Sequence, residues 1–259
     1  MHSRPFRRTL LAFALPLALA SHPALSETPA AGEPIVLKPG AATVSGAFIQ
    51  PCTNRWSVAQ VKPDGTTKPV GTWTDDVKVE TMNGRPVIKR QQTATFGDTE
   101  VKYLNVVDRG TMAPILSEQS SSKGLFEHFD FDGTHVKYRH AAMPSGGAIE
   151  EKDIQLTMPV YQFGGMFGML LVTFPLREGA VFKFPNFDVT QADNVEWLAF
   201  RVKGKEMVPA GAGKKVEAWI VESEPKPGAK MRFSLTKEAP YIIRLEQEKD
   251  GAVVRWEMI

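Results

Sequence analysis

In 259 residues the chain has a single cysteine, Cys52. One thiol makes no internal disulfide, so the protein is not a crosslinked scaffold. The preceding Phe48-Ile49-Gln50-Pro51 lacks the small residues of a lipid-attachment box. Cys52 therefore reads as a small buried apolar residue rather than a nucleophile. Catalytic and cofactor signatures are also missing. There is no G-x-S-x-G, no H-E-x-x-H and no glycine-rich phosphate loop. Ser120-Ser121-Ser122-Lys123 matches S-x-x-K in form, but no helical pattern follows it and no K-T-G accompanies it. No catalytic residue, metal or cofactor is assigned. A large excess of either charge is missing too, with 31 Lys and Arg against 29 Asp and Glu. The net charge of +2 leans on Arg4, Arg7 and Arg8, and without those three it becomes −1, which gives no electrostatic case for nucleic acid.

Those arginines open a pattern of their own. They precede the apolar run Leu10 to Ala20, broken by Pro16, and Ala24-Leu25-Ser26 then supplies small residues at a cleavage position. A basic start, a short apolar core and a small-residue exit describe a secretory signal peptide over residues 1–26. The run is shorter than the ~20 residues a membrane-spanning helix needs, so no transmembrane segment is expected after cleavage. The protein is expected to be exported to the periplasm. Residues 27–43, rich in Ala, Pro, Glu and Gly, read as a flexible lead-in. Residues 44–259 read as one β-rich domain, long enough to bury a core without crosslinks.

Within that domain short strand-like runs alternate with turn signals. Trp56 to Lys62 and Thr66 to Trp73 flank Pro63-Asp64-Gly65. Val77 to Met82 and Arg85 to Phe96 flank Asn83-Gly84, and Gly97-Asp98 leads into Thr99 to Val107. Such dipeptides between alternating runs are the strongest local signal for hairpins. With Asp132-Gly133 as a turn, Phe131 faces Thr134 and Phe129 faces Val136. This puts Phe129, Phe131, Val136 and Tyr138 on an apolar face, with His128, Asp130, His135 and Lys137 on the polar one. With Asp250-Gly251 as a turn, Leu245 faces Trp256, Glu246 faces Arg255 and Arg244 faces Glu257. The two faces then separate by polarity, as a one-sided antiparallel sheet requires.

Three clusters carry the functional readings. His128 and His135, with Asp130 beside them, offer metal-type donors, although diagonal strand positions lie ~7–8 Å apart at the backbone and a solvated polar face is the plainer reading. Asp75 and Asp76 are adjacent, so on a strand they point to opposite faces and read as turn or edge residues. The run Val160 to Leu176 has neither clean helical nor clean strand periodicity. It fits a buried helix or a core strand, and its Met and Phe side chains suit either a core plug or an adaptable apolar binding surface.

Several stretches together resemble a known family. These are Leu116-Ser117-Glu118, Phe129-Asp130-Phe131-Asp132-Gly133-Thr134, Gly168-Met169-Leu170-Leu171 leading to Phe174-Pro175-Leu176-Arg177-Glu178-Gly179, Glu206-Met207-Val208-Pro209-Ala210-Gly211, Trp219-Ile220-Val221-Glu222, Met231-Arg232-Phe233-Ser234-Leu235 and Ala239-Pro240-Tyr241-Ile242-Ile243-Arg244-Leu245-Glu246. The chain is similar, over roughly residues 100–250, to exported bacterial proteins defined as a domain of unknown function, with a fold like the periplasmic lipoprotein-localisation carriers. The resemblance implies a strongly curved antiparallel sheet, a half-open barrel, with a short helical element on its concave face. It implies no reaction.

Three functions follow as expectations. In the first, a lipid, acyl chain or other apolar ligand lies in the concavity against Phe163, Met166, Phe167, Met169, Leu170 and Phe174. The second is a non-enzymatic structural or interaction module of the envelope with a protein partner. The third is a metal-dependent enzyme using His128, His135 and Asp130.

Overall fold

The computed structural model describes residues 33–141, 148–223, 229–249 and 251–259. The expected signal peptide, residues 1–26, and the turn residue Asp250 lie outside the described residues.

The chain order is β1 (Ile35–Val36), β2 (Cys52–Val61), β3 (Thr67–Met82), β4 (Arg85–Phe96), β5 (Thr99–Asp108), β6 (Pro114–Ser121), β7 (Phe126–Asp132), β8 (His135–Ala141) and β9 (Glu150–Gln155). A short helix, α1 (Phe163–Leu171), follows. The chain then forms β10 (Val181–Phe187), β11 (Val195–Pro209), β12 (Lys215–Ser223), β13 (Ala229–Leu235), β14 (Ile242–Lys249) and β15 (Ala252–Met258). All fifteen strands belong to one sheet, in the order β1-β10-β11-β12-β13-β14-β15-β2-β3-β4-β5-β6-β7-β8-β9. Two antiparallel meanders, β10–β15 and β2–β9, are thus joined where β15 pairs with β2. Among the described strands only β1 runs parallel to its neighbour. The sheet does not close on itself. Its curl brings Phe129, Phe131, Val136 and Tyr138 of β7 and β8 into one buried cluster with Phe187 and Val195 of β10 and β11. The connection from β9 to α1 fills the seam: Tyr161 donates its N–H to Pro185 and accepts from the N–H of Phe187. The mainly β, half-open architecture with a helix on the concave face is therefore the one expected.

Alternation builds the concave face. In β2 Asn54, Trp56 and Val58 are buried, and in β3 Trp73, Asp75 and Val77. Arg90, Gln92 and Ala94 follow the same period of two in β4. The Asn83-Gly84 hairpin forms with both residues at positive φ, as a two-residue turn of this type needs. The C-terminal hairpin has the expected register, Leu245 opposite Trp256, Glu246 opposite Arg255 and Arg244 opposite Glu257. Arg255 Nε donates to Glu246 Oε1 at 2.7 Å, and Arg244 pairs with Glu257.

Three expectations need correction. The β7–β8 hairpin pairs Phe131 with Val136, Phe129 with Tyr138 and Asp132 with His135. Its turn is Gly133-Thr134, because Gly133, at φ +61°, takes the first loop position, where glycine meets no steric penalty. The apolar face is unchanged, since the partner shifts by two residues. Residues 35–37 of the expected lead-in are not loose. Ile35 and Val36 pair with β10 and Leu37 is buried, because the free edge of β10 offers unpaired backbone groups. Finally, Thr66 to Trp73 and Val77 to Met82 are one 16-residue strand running through Asp75 and Asp76.

Candidate functional site

The site lies where α1 meets the concave face. Five of the six residues expected to bind ligand, Phe163, Met166, Met169, Leu170 and Phe174, are at most 4% exposed and belong to the main core. Phe163 packs against the rings of Phe184, Phe200 and Phe233 at 5.2–6.1 Å, and Phe174 against Phe182 and Phe184 at 5.3 Å. Phe167 alone of the six lines open space.

Phe167 also breaks the helix. Its φ of +38° and ψ of −128° lie inside an element that is otherwise helical. A bulky residue held there costs of order 1–3 kcal/mol. Three things hold the kink. Asn186 Oδ1 accepts the N–H of Phe163, satisfying a donor at the start of α1. Gly165 presses its backbone on β5, so that a Cβ there would fall 1.8 Å from Asn105 Oδ1. Arg90 then takes the carbonyls released before the kink, donating from Nη1 to Met166 O at 2.8 Å and to Gly165 O at 3.4 Å.

Arg90 and Asp75 are each 1% exposed. Arg90 Nε donates to both carboxylate oxygens at 3.0 Å, and Nη2 to Oδ2 at 2.7 Å. With its amide oxygen turned inward, Gln92 accepts from Trp73 Nε1 at 2.9 Å and from Arg90 Nη2 at 3.1 Å. Register explains the cluster: Asp75 stands opposite Gln92, and Arg90 opposite Asn105. Asn105 in turn stands opposite Ser117, whose hydroxyl donates to Asn105 Oδ1 at 2.8 Å. A polar stripe thus runs under α1. Asp75 is not a turn or edge residue as expected; it sits mid-strand, because Arg90 supplies the charge that its burial demands. The signal for this stripe was present in the alternation of Arg90, Gln92 and Ala94. It was masked by the adjacent apolar pair Val87 and Ile88, both of which are buried and leave the facing of β4 ambiguous. Cys52 is half-buried, and burial together with nearby Asp75 pushes its thiol up, away from the reactive thiolate.

Two cavities flank the kink. The first, about 290 Å³, is walled by Trp56, Trp73, Phe96, Tyr103, Phe167 and Trp256, with Arg90 and Gln92 also lining it. The rings pack side by side across the strands: Trp73 stacks on Tyr103 at 5.3 Å and meets Trp256 and Phe167 edge-on at 6.3 and 6.2 Å. The second, about 330 Å³, is bounded by Tyr103 and Phe167 from the other side and by Phe129, Phe187, Glu127 and Asp188.

The histidine set is not assembled. His128 Nδ1 lies 3.0 Å from Glu118 Oε2, and its Nε2 lies 3.0 Å from Asp130 Oδ2 without a hydrogen bond. His135 turns to Asp153 on β9, at 3.4 Å. The corrected register places His128 opposite Arg139 and His135 opposite Asp132. Among the described residues no three His, Cys, Asp or Glu side chains gather as metal ligands. No helix among them is long and apolar enough to cross a membrane.

Comparison with known proteins supplies the family. Residues 56–256 match the model of the family described as Protein of unknown function (DUF3108), and the chain belongs to it. The fold is similar to the crystal structure of a beta-barrel-like protein of domain of unknown function DUF1849 from Brucella abortus. The TM-score is 0.51 at 10% identity, over 82% of this chain and 97% of that one. A search of the curated proteins finds no match.

Proposed function

We propose that this protein is an exported periplasmic binding protein that holds a lipid, an acyl chain or another apolar ligand in the concavity of its sheet. The observation that carries this reading is the aromatic cavity at the α1 kink. It is concave and mainly apolar, with a few polar groups at one place, the usual form of a small-molecule site. Its volume of about 290 Å³ sits at the low end for such sites. The aromatic rings give a ligand a large apolar surface, and the neutral Arg90–Asp75 pair adds polarity without net charge. The likeness to lipoprotein-localisation carriers, which bind acyl chains in the same concavity, is part of this proposal. So is export by the N-terminal segment.

The test is mass spectrometry of the mature protein, released by osmotic shock from its own cells and purified without detergent. A stoichiometric lipid or fatty acid is the expected result, together with loss of that lipid in Trp73→Arg, which puts a charged side chain into the cavity. Protein that is empty, or that stays with the cytoplasmic fraction, overturns the reading.

A further inference from the structure

The walls of the first cavity constrain the shape of what it holds. Of the residues lining it Arg90 alone is charged, and its guanidinium is committed to Asp75, Gln92 and the carbonyls of α1. Recognition therefore falls to the rings, which stand at steep angles to one another. Trp73 is nearly parallel to Tyr103, at 14°, whereas Phe96, Phe167 and Trp256 are inclined to it by 71°, 65° and 76°. Trp73 is buried, and its indole N–H is held by Gln92, which Arg90 holds in turn. The central ring is thus oriented before a ligand arrives.

We propose that the group seated in this cavity is a flat conjugated system of about two fused rings, so that the ligand is a ring-bearing lipid or other ring-bearing apolar compound rather than a plain acyl lipid. This rests on the binding reading above and adds the class of the group held. A flat ring lying along one wall is steeply inclined to the next. It makes offset-stacked and edge-to-face contacts at once, the two arrangements that aromatic pairs prefer. A saturated chain covers the same apolar area without that ring–ring geometry, and it gives up rotamer freedom on binding. Size agrees with shape. The volume of about 290 Å³ is roughly twice the ~150 Å³ of an apolar cavity that holds one benzene.

The test is equilibrium dialysis of the mature protein against naphthol, decahydronaphthol and decanol, each with ten carbons and one hydroxyl. The first is flat and conjugated, the second is its saturated, puckered counterpart and the third is an open chain. Naphthol is expected to bind at least about tenfold tighter than decahydronaphthol, the scale of one or two good aromatic pairs. In Trp256→Leu, which removes a half-buried ring from the wall, that preference should shrink while decanol binds as before, which also shows that the variant is folded. A smaller preference in the wild type, or tightest binding of decanol, overturns the ring assignment and leaves the apolar cavity standing. So does a plain fatty acid that co-purifies in stoichiometric amount. A preference unchanged in Trp256→Leu removes the ring from this cavity and overturns the assignment. Binding of none of the three probes overturns this proposal and the binding reading together.

Discussion

On one side of Phe167 the helix is seated among phenylalanines; on the other it overlooks a space walled by tryptophans. Both regions are rich in aromatic rings, yet one is filled and the other hollow. In the filled region the rings come from facing layers. Phe163 and Phe174 of the helical segment insert between Phe182, Phe184, Phe200 and Phe233 of the sheet. In the hollow region the rings come from strands of one layer, β15, β2, β3 and β5, and they pack within it, Trp73 stacking on Tyr103 and meeting Trp256 edge-on. Contacts within one layer leave its concave side open where no second layer reaches it, and α1 is interrupted there at Phe167. Aromatic content therefore does not distinguish core from cavity; the direction from which the partners arrive does.

The polar stripe beneath the kink sustains that difference, so the largest effect is expected there. Arg90→Met leaves Asp75 buried without its counter-charge and frees the carbonyls of Gly165 and Met166. A loss of ~3–5 kcal/mol in urea unfolding is expected. The double variant Asp75→Leu/Arg90→Met should recover much of it, because the unpaired charge is removed. A single variant of wild-type stability would mean that the pair does not hold the kink.

Next comes a direct comparison of the two regions. Phe184→Ala in the filled region should cost ~3–5 kcal/mol, the transfer and cavity terms together. Phe167→Ala should cost clearly less, within ~1 kcal/mol of wild type, since part of its surroundings is already empty. Equal losses in the same unfolding assay would show that the two regions are packed alike.

A smaller effect separates two adjacent glycines. A Cβ at Gly165 would collide with Asn105, whereas one at Gly164 would meet nothing nearer than Gln162 Oε1 at 4.0 Å. Gly165→Ala should lose ~1–3 kcal/mol through overpacking. Gly164→Ala should be neutral or slightly stabilising, by up to the ~1 kcal/mol that separates Gly from Ala in a helix. Thermal melts of the two variants decide it.

The smallest expected effect lies at the far end of the helical segment. Lys237 donates from Nζ to the carbonyls of Phe174, at 2.8 Å, and Val172, over the ring of Phe48. Enclosure of the ammonium there lowers it to about 8 from an ordinary 10.5. The folded state thus releases this proton before the unfolded state does. Between pH 8 and 10.5 the unfolded chain holds more of it, and stability from this group rises with pH. Much of the side chain is open to solvent, which keeps the effect small. The stability of wild type relative to Lys237→Met should rise across that window in paired unfolding curves; a constant difference would contradict the lowered value.

The candidate site was less legible than the fold. The expectation of ligand contacts at Phe163, Met166, Phe167, Met169, Leu170 and Phe174 treated the Met/Phe run as one surface, and only Phe167 reaches a cavity. Trp56, Trp73, Tyr103 and Trp256, which form part of the wall, belong to strands whose apolar residues read simply as core.

The sequence by itself determined the β architecture and the terminal hairpin. Asn83-Gly84 and Asp250-Gly251 sit between alternating runs, and turn chemistry and a period of two act over a few residues. It also encoded the separation of Glu246–Arg255 and Arg244–Glu257 from Leu245–Trp256, because a one-residue slip would mix the faces. The tertiary structure alone decided that Asp75 meets Arg90, that Phe167 breaks the helix and that the tryptophans face empty space. Each of those depends on segments brought together by the curl of the sheet, so no local stretch contains the information.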